Sequence, residues 1–393
     1  MISIDGEYDR DFGYNACMMP SSRTAHGVQV IRLDRRHNRA MLDILRQSPI
    51  EAGGLSLCFD RQPDIFAMSD LKYHPAAWSG FVKGDTLLGF VMAGYHQAYV
   101  NGSVTPVMHI TDCYFRPEAR RRGYLKKALS YFANDGAGRA KLGYAVVLKG
   151  NRAAEGLLGD RLAAGPGGLR SRIIGQLEAR SLLLAFPCPK RPQLPVRRAR
   201  LDDIDDIVSL LRAEHMPRLF GLVTGRDEFA ARLQQRPGLA IDDYFVVEKA
   251  GKLVGVCAAW DTGAFKQNRV IRYGFGLTLV RAASVVAAAL GGVPCLPPPG
   301  EAFRDVFLTD WAARDRSVEV MHALIGHVFR EYRNRKYHTL VFGSCSGDPM
   351  LDAAKGFPAT KLLSHIAVMT LEEKWLQEGA LDTRLPFIDL ALL

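Results

Sequence analysis

The chain has 393 residues, of which 48% are hydrophobic and 23% are charged. That mixture is typical of a globular protein with a buried core, and it excludes collagen-like, coiled-coil and intrinsically disordered chains. Lys and Arg together number 51 against 41 Asp and Glu, which gives a formal charge of +10. The excess positive charge favours a polyanionic partner, namely a phosphorylated cofactor, a nucleic acid or an anionic membrane surface.

The seven cysteines are widely spaced and include no Cys-x-x-Cys pair. This spacing argues against a disulfide framework and against a zinc site, so we predict no metal centre. Residues 1–14 carry three acidic residues within the first nine and lack the apolar stretch of a signal peptide. We therefore expect a cytoplasmic protein whose thiols are mostly small buried hydrophobic groups.

Hydrophobic periodicity and turn residues predict the elements of the first half of the chain. These are a strand over 28–33, a helix over 38–47, a hairpin over 80–93, a long strand over 107–115, a helix over 125–134 and a strand over 144–148. We expect a short helix and a terminal hairpin to close this half. Four prolines between Pro187 and Pro195 then predict a stiff linker.

The second half repeats this order. Its predicted elements are a strand over 194–200, a helix over 202–215, a hairpin over 244–258, a strand over 306–311, a helix over 318–333 and a strand over 339–342. The repeat predicts two α+β domains with mixed sheets, at 1–187 and 196–393, joined by the linker 188–195.

An apolar stretch over 274–293 lies within a long insertion over 261–299. Arg281 stands in its middle and would cost several kcal/mol in lipid, so we do not predict a transmembrane span. A buried or substrate-facing helix is favoured over one that lies on a membrane surface. We expect the insertion to line an acceptor site for a hydrophobic molecule or to dock a second subunit.

The most informative segment follows the long strand that ends at Phe115. Residues 116–127, the cationic segment, contain six basic residues and one acidic residue, and they pass from a basic turn directly into a predicted helix. Backbone N–H groups and the helix dipole at such a point attract anions. Gly123 lets the backbone approach a ligand closely. This arrangement suits a pyrophosphate.

The segment resembles motif A of the GNAT acyltransferases, in which a strand is followed by x-Pro-x-x-(Arg/Gln)-x-x-Gly-x-(Gly/Ala). Pro117, Arg120 and Gly123 match this pattern, whereas Leu125 replaces its last small residue. Residues 151–157, NRAAEGL, are similar to the family's Asn-x-x-Ala-x-x-Leu. The resemblance implies two tandem GNAT-like domains and acetyl-CoA as co-substrate. The implied cofactor-binding residues are Tyr114, Phe115, Arg120, Arg121, Arg122, Gly123, Tyr124, Leu125 and Asn151.

The corresponding part of the second half, residues 311–321, has no glycine and no Arg-x-x-Gly. We therefore expect the second domain to be a degenerate copy that binds no CoA. The family's tyrosine acid would follow Leu157, but Leu158 occupies that position. Tyr124, Tyr131 and Tyr144 are candidates to replace it.

The resemblance implies direct attack of an amine on the thioester, with a base that removes a proton from the amine. His109 lies six residues before Phe115, where several members of the family carry a catalytic Glu, and histidine titrates near neutral pH. Asp112 is a second candidate, either as base or as an amine-binding carboxylate. A hydrogen-bonded core histidine and an arginine partner are the respective alternatives.

We therefore predict an acyl-CoA-dependent N-acetyltransferase that moves an acetyl group from acetyl-CoA to a primary amine. The acceptor is a small molecule or a larger molecule that bears an amine. Two other classes stay open, a non-catalytic CoA-binding protein with the same fold and a basic module that binds RNA or a membrane surface. Nucleic acid and membrane are the less favoured partners, and a homodimer also stays open.

Overall fold

The computed structural model describes residues 27–52, 54–129, 139–156, 158, 169–189, 194–289, 294–381 and 385–393. The first half contains β1 Gln29–Arg32, α1 Asn38–Arg46, β2 Ile50–Ala52, β3 Leu55–Asp60, α2 Ala67–Lys72, β4 Ala76–Lys83, β5 Thr86–Val100, β6 Ser103–Phe115, α3 over 124–129, β7 Leu142–Leu148, α4 Arg152–Glu155 and β8 Arg170–Leu183. Tyr131 and the end of the helix predicted over 125–134 lie outside the described residues.

The second half contains β9 Val196–Arg198, α5 Ile204–His215, β10 Gly221–Leu222, α6 Arg226–Gln235, β11 Tyr244–Lys249, β12 Lys252–Asp261, β13 Gln267–Tyr273, α7 Phe275–Ala289, β14 Asp305–Ala313, α8 Val318–Asn334, β15 Thr339–Cys345 and β16 Ala359–Thr370. The α+β class with a mixed sheet is confirmed. The two halves show the repeated element order that the sequence predicts.

One 13-stranded sheet runs through both halves, in the order β1-β4-β5-β6-β7-β16-β8-β15-β14-β12-β11-β9, with β10 paired to β5. The β6–β7 and β14–β15 pairs are parallel. β16 lies between β7 and β8, and β8 lies between β16 and β15. Each half therefore contributes its last strand to a ladder with the other half.

The expectation of a terminal hairpin in each half is wrong. After β8 the chain enters a segment with prolines at 187, 189, 192 and 195. β8 runs unbroken over Arg170–Leu183, and residues 184–189 that follow it form no strand, since the prolines at 187 and 189 have no N–H to donate to a strand ladder. The vacant edge of β8 is filled by β16 from the other half.

A separate three-stranded sheet has the order β13-β3-β2 and joins elements of both halves. α7 follows β13, and it contains no buried residue; Phe275, at its start, is 86% exposed. The expectation of a buried helix is therefore wrong. α7 directly follows β13, an edge strand of the small sheet, and its described side chains are half-buried or exposed. None of the helices in the described parts of the chain has the length and apolar character needed to cross a bilayer.

Helices α5 and α8 belong to separate hydrophobic clusters of the second half. α8 contributes ten buried residues, and its apolar positions pack with those of β12, β14 and β15. α5 packs through Ile207, Leu210 and Leu211. At its C-terminal end the buried His215 ring contacts the Phe387 ring edge-on, with 4.2 Å between centroids.

His215 makes folding sensitive to acid. Neither ring nitrogen has a hydrogen-bond partner among the described residues, and burial lowers the pKa of the imidazole to about 3. Below pH 6.5 this imidazole is protonated in the unfolded chain, whereas in the folded protein it stays neutral until about pH 3. The free energy of unfolding therefore falls as the pH is lowered through that range.

We expect His215→Leu to remove this contribution, which amounts to about 2–3 kcal/mol between pH 7 and pH 4.5. Urea unfolding of both proteins at these two pH values measures it. The variant should lose less stability on acidification than the wild type. Equal losses in the two proteins would contradict the assignment.

Candidate functional site

A β-bulge interrupts β6 at Asp112. The register between β5 and β6 shifts between Phe90 and Met92, and Asp112 has a φ of 48°. The parallel ladder of β6 with β7 ends at the pair Ile110 and Ala145. Beyond that pair the edge of β6 that faces β7 has no strand partner among the described residues, so the two strands separate and leave backbone groups open between them.

The cationic segment begins where β6 ends. Arg120, Arg121, Arg122 and Gly123 are all exposed. The Arg120 side chain folds back, since its Nε donates to the carbonyl of Phe115 at 3.1 Å. The guanidinium of Arg120 therefore fixes the path of the turn relative to the end of the strand.

Backbone geometry leaves this turn open to a ligand. Arg121 and Gly123 have φ values of 60° and 74°, the left-handed region that favours glycine. No atom lies within 4 Å of where a Cβ on Gly123 would stand. The amide nitrogens of 121–125 have no hydrogen-bond partner among the described residues. Successive free amides before a helix form a concave anion-binding site.

The aromatic residues predicted around this turn have their side chains in the protein interior. The Tyr124 ring packs 5.3 Å from Phe81 and 6.1 Å from Phe115, and the half-buried Tyr114 ring lies 5.7 Å from Phe90. Leu125 is half-buried beside the same cluster. These residues can therefore offer backbone amides to a ligand, while their side chains hold the turn in place.

Asn151 and Leu158 have structural contacts. The Asn151 side chain accepts a hydrogen bond from the amide of Ala154 at 3.4 Å, which caps α4. Leu158 is buried, so a core side chain occupies the position at which the resemblance implies a tyrosine acid. Any general acid must come from another element.

On the opposite face of β6 from α3, His109 belongs to a buried aromatic group. Its ring stacks on Tyr144 with 4.3 Å between centroids and a 10° angle, and its Nδ1 is hydrogen-bonded with the Tyr73 hydroxyl. The Tyr144 hydroxyl lies 3.4 Å from Nε2 of His96. Nε2 of His109 has no partner among the described residues.

Charge and burial keep this group neutral. Burial, aided by the nearby Lys72 ammonium, lowers the pKa of His96 to about 3 and that of His109 well below its usual value. Burial raises the pKa of Tyr73 and of Tyr144. Lys72 itself, whose Nζ donates to the carbonyl of Leu392 at 3.1 Å, has its pKa lowered by burial to about 8. Neutral imidazoles and hydroxyls can accept and pass on a proton.

Sequence reasoning found His109 and Tyr144 but missed Tyr73, His96 and Lys72. Lys72 and Tyr73 end α2, a short helix without a clear periodic pattern. His96 lies on the part of β5 that extends beyond the predicted hairpin at 80–93. The two histidines on adjacent strands were the available signal, since only β5 had to extend beyond residue 93 for His96 to lie opposite Val107 and approach Tyr144.

Asp112 is also partnered. Its Oδ1 lies 3.4 Å from Nη2 of Arg61, and both side chains are buried. The bulge has a counterpart in the second half, where the β12–β14 register shifts and Asp310 has a φ of 44°. The repeated backbone feature therefore carries an aspartate in both halves.

Asp310 has a fuller set of partners than Asp112. It accepts from Arg232 Nη1 at 2.8 Å, from Arg236 Nη1 at 3.3 Å and from the Tyr244 hydroxyl at 2.6 Å. Burial alone would raise the pKa of Asp310, but the two guanidinium groups outweigh it and lower the pKa to about 2. Three donors therefore share the two oxygens of this carboxylate.

In the second half, the residues that correspond to the cationic segment, 311–321, make internal hydrogen bonds and ion pairs. Ser317 precedes α8, and its side chain accepts from the amide of Val320 at 3.4 Å. The Arg316 guanidinium is hydrogen-bonded to Glu214 and to Asp348. The cap engages one amide of this helix start and the ion pairs engage Arg316, so both are less available to a pyrophosphate.

Part of the chain is similar to a known protein family. Residues 39–162 match the model of the acetyltransferase (GNAT) family, a range that includes β6, the cationic segment and Asn151. None of the curated proteins matches the sequence.

The fold is similar to that of N-myristoyltransferase from Saccharomyces cerevisiae with bound myristoyl-CoA. For one such structure the TM-score is 0.56 at 11% identity, over 89% of this chain and 80% of the other. For another it is 0.55 at 12% identity, over 88% and 84%. A GCN5-related N-acetyltransferase from Anabaena variabilis aligns with a TM-score of 0.49 at 10% identity, over 88% and 73%. At these identities the yeast enzyme shares the fold.

The two bulge aspartates should differ in their importance for stability. We expect Asp310→Asn to lower the free energy of unfolding by about 3–5 kcal/mol, because it leaves two buried guanidinium groups without their counter-ion. Asp112→Asn breaks one longer contact and should cost at least about 2 kcal/mol less. Asn tolerates the left-handed backbone at both positions.

Urea unfolding of the two variants at neutral pH measures the difference. An equal loss of stability would show that Asp112 is as structural as Asp310, and it would remove Asp112 from consideration as a functional carboxylate.

Proposed function

Residues 39–162 form a domain of the acetyltransferase (GNAT) family, and from that premise we propose that the protein is an acyl-CoA-dependent N-acyltransferase. The reaction transfers an acetyl group from acetyl-CoA to a primary amine. The observation that carries the proposal is the exposed cationic turn, whose amides at 121–125 have no hydrogen-bond partner in the described part of the chain, directly after a strand that separates from its neighbour. CoA binds in the first half only.

The fit to a CoA pyrophosphate rests on charge, geometry and space. Three consecutive exposed arginines surround the free amides, so both the net charge and the donor directions suit two adjacent phosphates. The empty volume beside Gly123 allows phosphate oxygens to reach the backbone. In the second half the corresponding helix start is capped by Ser317, which supports binding at a single site.

The gap between β6 and β7 suits the acyl thioester. A thioester carbonyl in this gap would meet the backbone N–H groups near Tyr114 and Phe115 that have no β7 partner. Such a donor stabilises negative charge that develops on the carbonyl oxygen as the amine attacks. The thiolate of CoA leaves as the new amide bond forms, and the attacking nitrogen loses one proton.

His109 is the candidate acceptor of that proton. It lies one residue before the end of the β6–β7 ladder, and its Nε2 has no other partner among the described residues. Its lowered pKa keeps the imidazole unprotonated at neutral pH, which is the state a base requires, and the same shift makes the imidazole a weaker base than a free histidine. Asp112 is the second candidate, as a carboxylate that orients the amine.

Binding at the cationic turn is tested with Gly123→Glu. The new side chain forces an L-residue into a left-handed conformation and brings a negative charge to the phosphate site, so acetyl-CoA affinity should fall at least about tenfold. Gly102→Glu is the matched control, since Gly102 has a similar φ of 77° and equal open space in the β5–β6 turn. It should change the affinity less than about twofold.

Isothermal titration with acetyl-CoA gives both dissociation constants. Loss of affinity only in the Gly123 variant supports the proposal. If the Gly123 variant binds as the wild type does, the nucleotide site lies elsewhere.

Catalysis is tested by thiol release from a series of acyl-CoA donors, from acetyl to myristoyl, on a panel of primary amines. We expect turnover with acetyl-CoA. His109→Asn should lower kcat about a hundredfold while the dissociation constant for acetyl-CoA stays unchanged, because Asn keeps a polar atom near Tyr73 but cannot act as the base.

Wild-type rates in the Asn variant would remove His109 from the mechanism. Binding of acetyl-CoA without thiol release on any amine would favour the non-catalytic alternative. A preference for long acyl chains would correct the donor while leaving the reaction class intact.

A further inference from the structure

Helix α7 presents most of its large apolar side chains to solvent, while Arg281 and Ser284 lie half-buried toward the protein. Phe275, Leu279 and Val286 are 86%, 59% and 63% exposed. The helix contains one charged residue, Arg281, and that side chain is half-buried on the inner side. This is the reverse of the arrangement on a surface helix that faces water.

The inner contacts hold the helix in this orientation. Ser284 Oγ donates to the carbonyl of Arg281 at 2.7 Å and accepts from the amide of Leu296 at 3.1 Å. Nε of Arg281 is buried. The start of the helix is fixed to the β2–β3 turn, where the Gly274 amide donates to the carbonyl of Gly54 at 2.7 Å. Rotation of α7 to hide its apolar face would break the bond between Leu296 and Ser284.

The charge of the chain complements an anionic surface. Its formal charge is +10, and an exposed apolar helix combined with net positive charge is the pair of features that favours binding to anionic lipid.

We propose that α7 docks on the surface of an anionic lipid bilayer. Its apolar side chains enter the boundary between headgroups and acyl chains, and basic side chains contact the headgroups. The helix lies in the plane of the surface and does not span the bilayer. The inference rests on the exposed face of α7 and on charge, so it does not depend on the proposed acyl transfer.

The size of the face argues against a second copy of the chain as its occupant. A helix of 15 residues is about 22 Å long and about 10 Å wide, so one face covers on the order of 220 Å². A stable protein interface buries about 800 Å² on each partner. Insertion into lipid has no such minimum area, because each apolar side chain contributes separately.

Vesicle sedimentation tests the proposal with the full chain and without CoA. The wild type should pellet with vesicles of phosphatidylcholine that contain about one third phosphatidylglycerol, and more weakly with pure phosphatidylcholine. The double variant Leu279→Glu/Val286→Glu should bind at least about tenfold more weakly. The matched control is Leu201→Glu/Val104→Glu, whose positions are 70% and 53% exposed outside α7; its binding should stay within about twofold of the wild type.

Two further measurements keep the result independent of misfolding in a variant. Thermal unfolding of both double variants checks that the fold is intact. Hydrogen exchange of the wild type should show added protection over 275–289 when anionic vesicles are present. Failure of the wild type to pellet, or equal binding by the α7 variant, overturns the proposal. A wild-type dimer in light scattering that the α7 variant converts to monomer, with no vesicle binding, would instead assign the face to a second copy.

Discussion

The backbone ladder between β8 and β16 is the constraint on which the architecture depends. Each strand has its sequence origin in one half and hydrogen-bonding partners in the other. Their exchange joins two similar units into one continuous sheet, so the halves cannot separate without breaking the three ladders β7–β16, β16–β8 and β8–β15. It also fixes which surfaces of the second half lie against β6 and β7, where the candidate site is formed.

The site consequently contains residues of both halves. The Phe220 ring stacks on Tyr144 at 4.4 Å, and β10 pairs with β5 beside it. The Lys72 ammonium donates to a carbonyl near the end of the second half. A single domain would leave this face of β6 open to water. Here the second half covers it, and the resulting burial is what depresses the pKa values of His96 and His109.

Local patterns made the elements and the cationic turn predictable. The order of strands and helices and the position of Gly123 follow from spacing over a few residues. The strand exchange could not be predicted in this way, because pairing between residues about 190 positions apart leaves no trace in local periodicity. The partners of His109 were missed for the same reason, since Tyr73 and His96 come from separate elements that only the tertiary fold brings together.

The same backbone bulge carries an aspartate in each half, and the two aspartates have different surroundings. At Asp310, two guanidinium groups and a hydroxyl donate hydrogen bonds to the carboxylate, and these bonds hold α6 and β11 on β14. At Asp112 a single contact of 3.4 Å with Arg61 leaves acceptor capacity unused. A carboxylate with fewer donors around it, beside a gap between strands, keeps more capacity to bind a ligand. The same contrast separates the two helix starts, since Ser317 caps α8 whereas the amides of 121–125 have no hydrogen-bond partner among the described residues. Both differences support the proposal that the chemistry takes place in the first half.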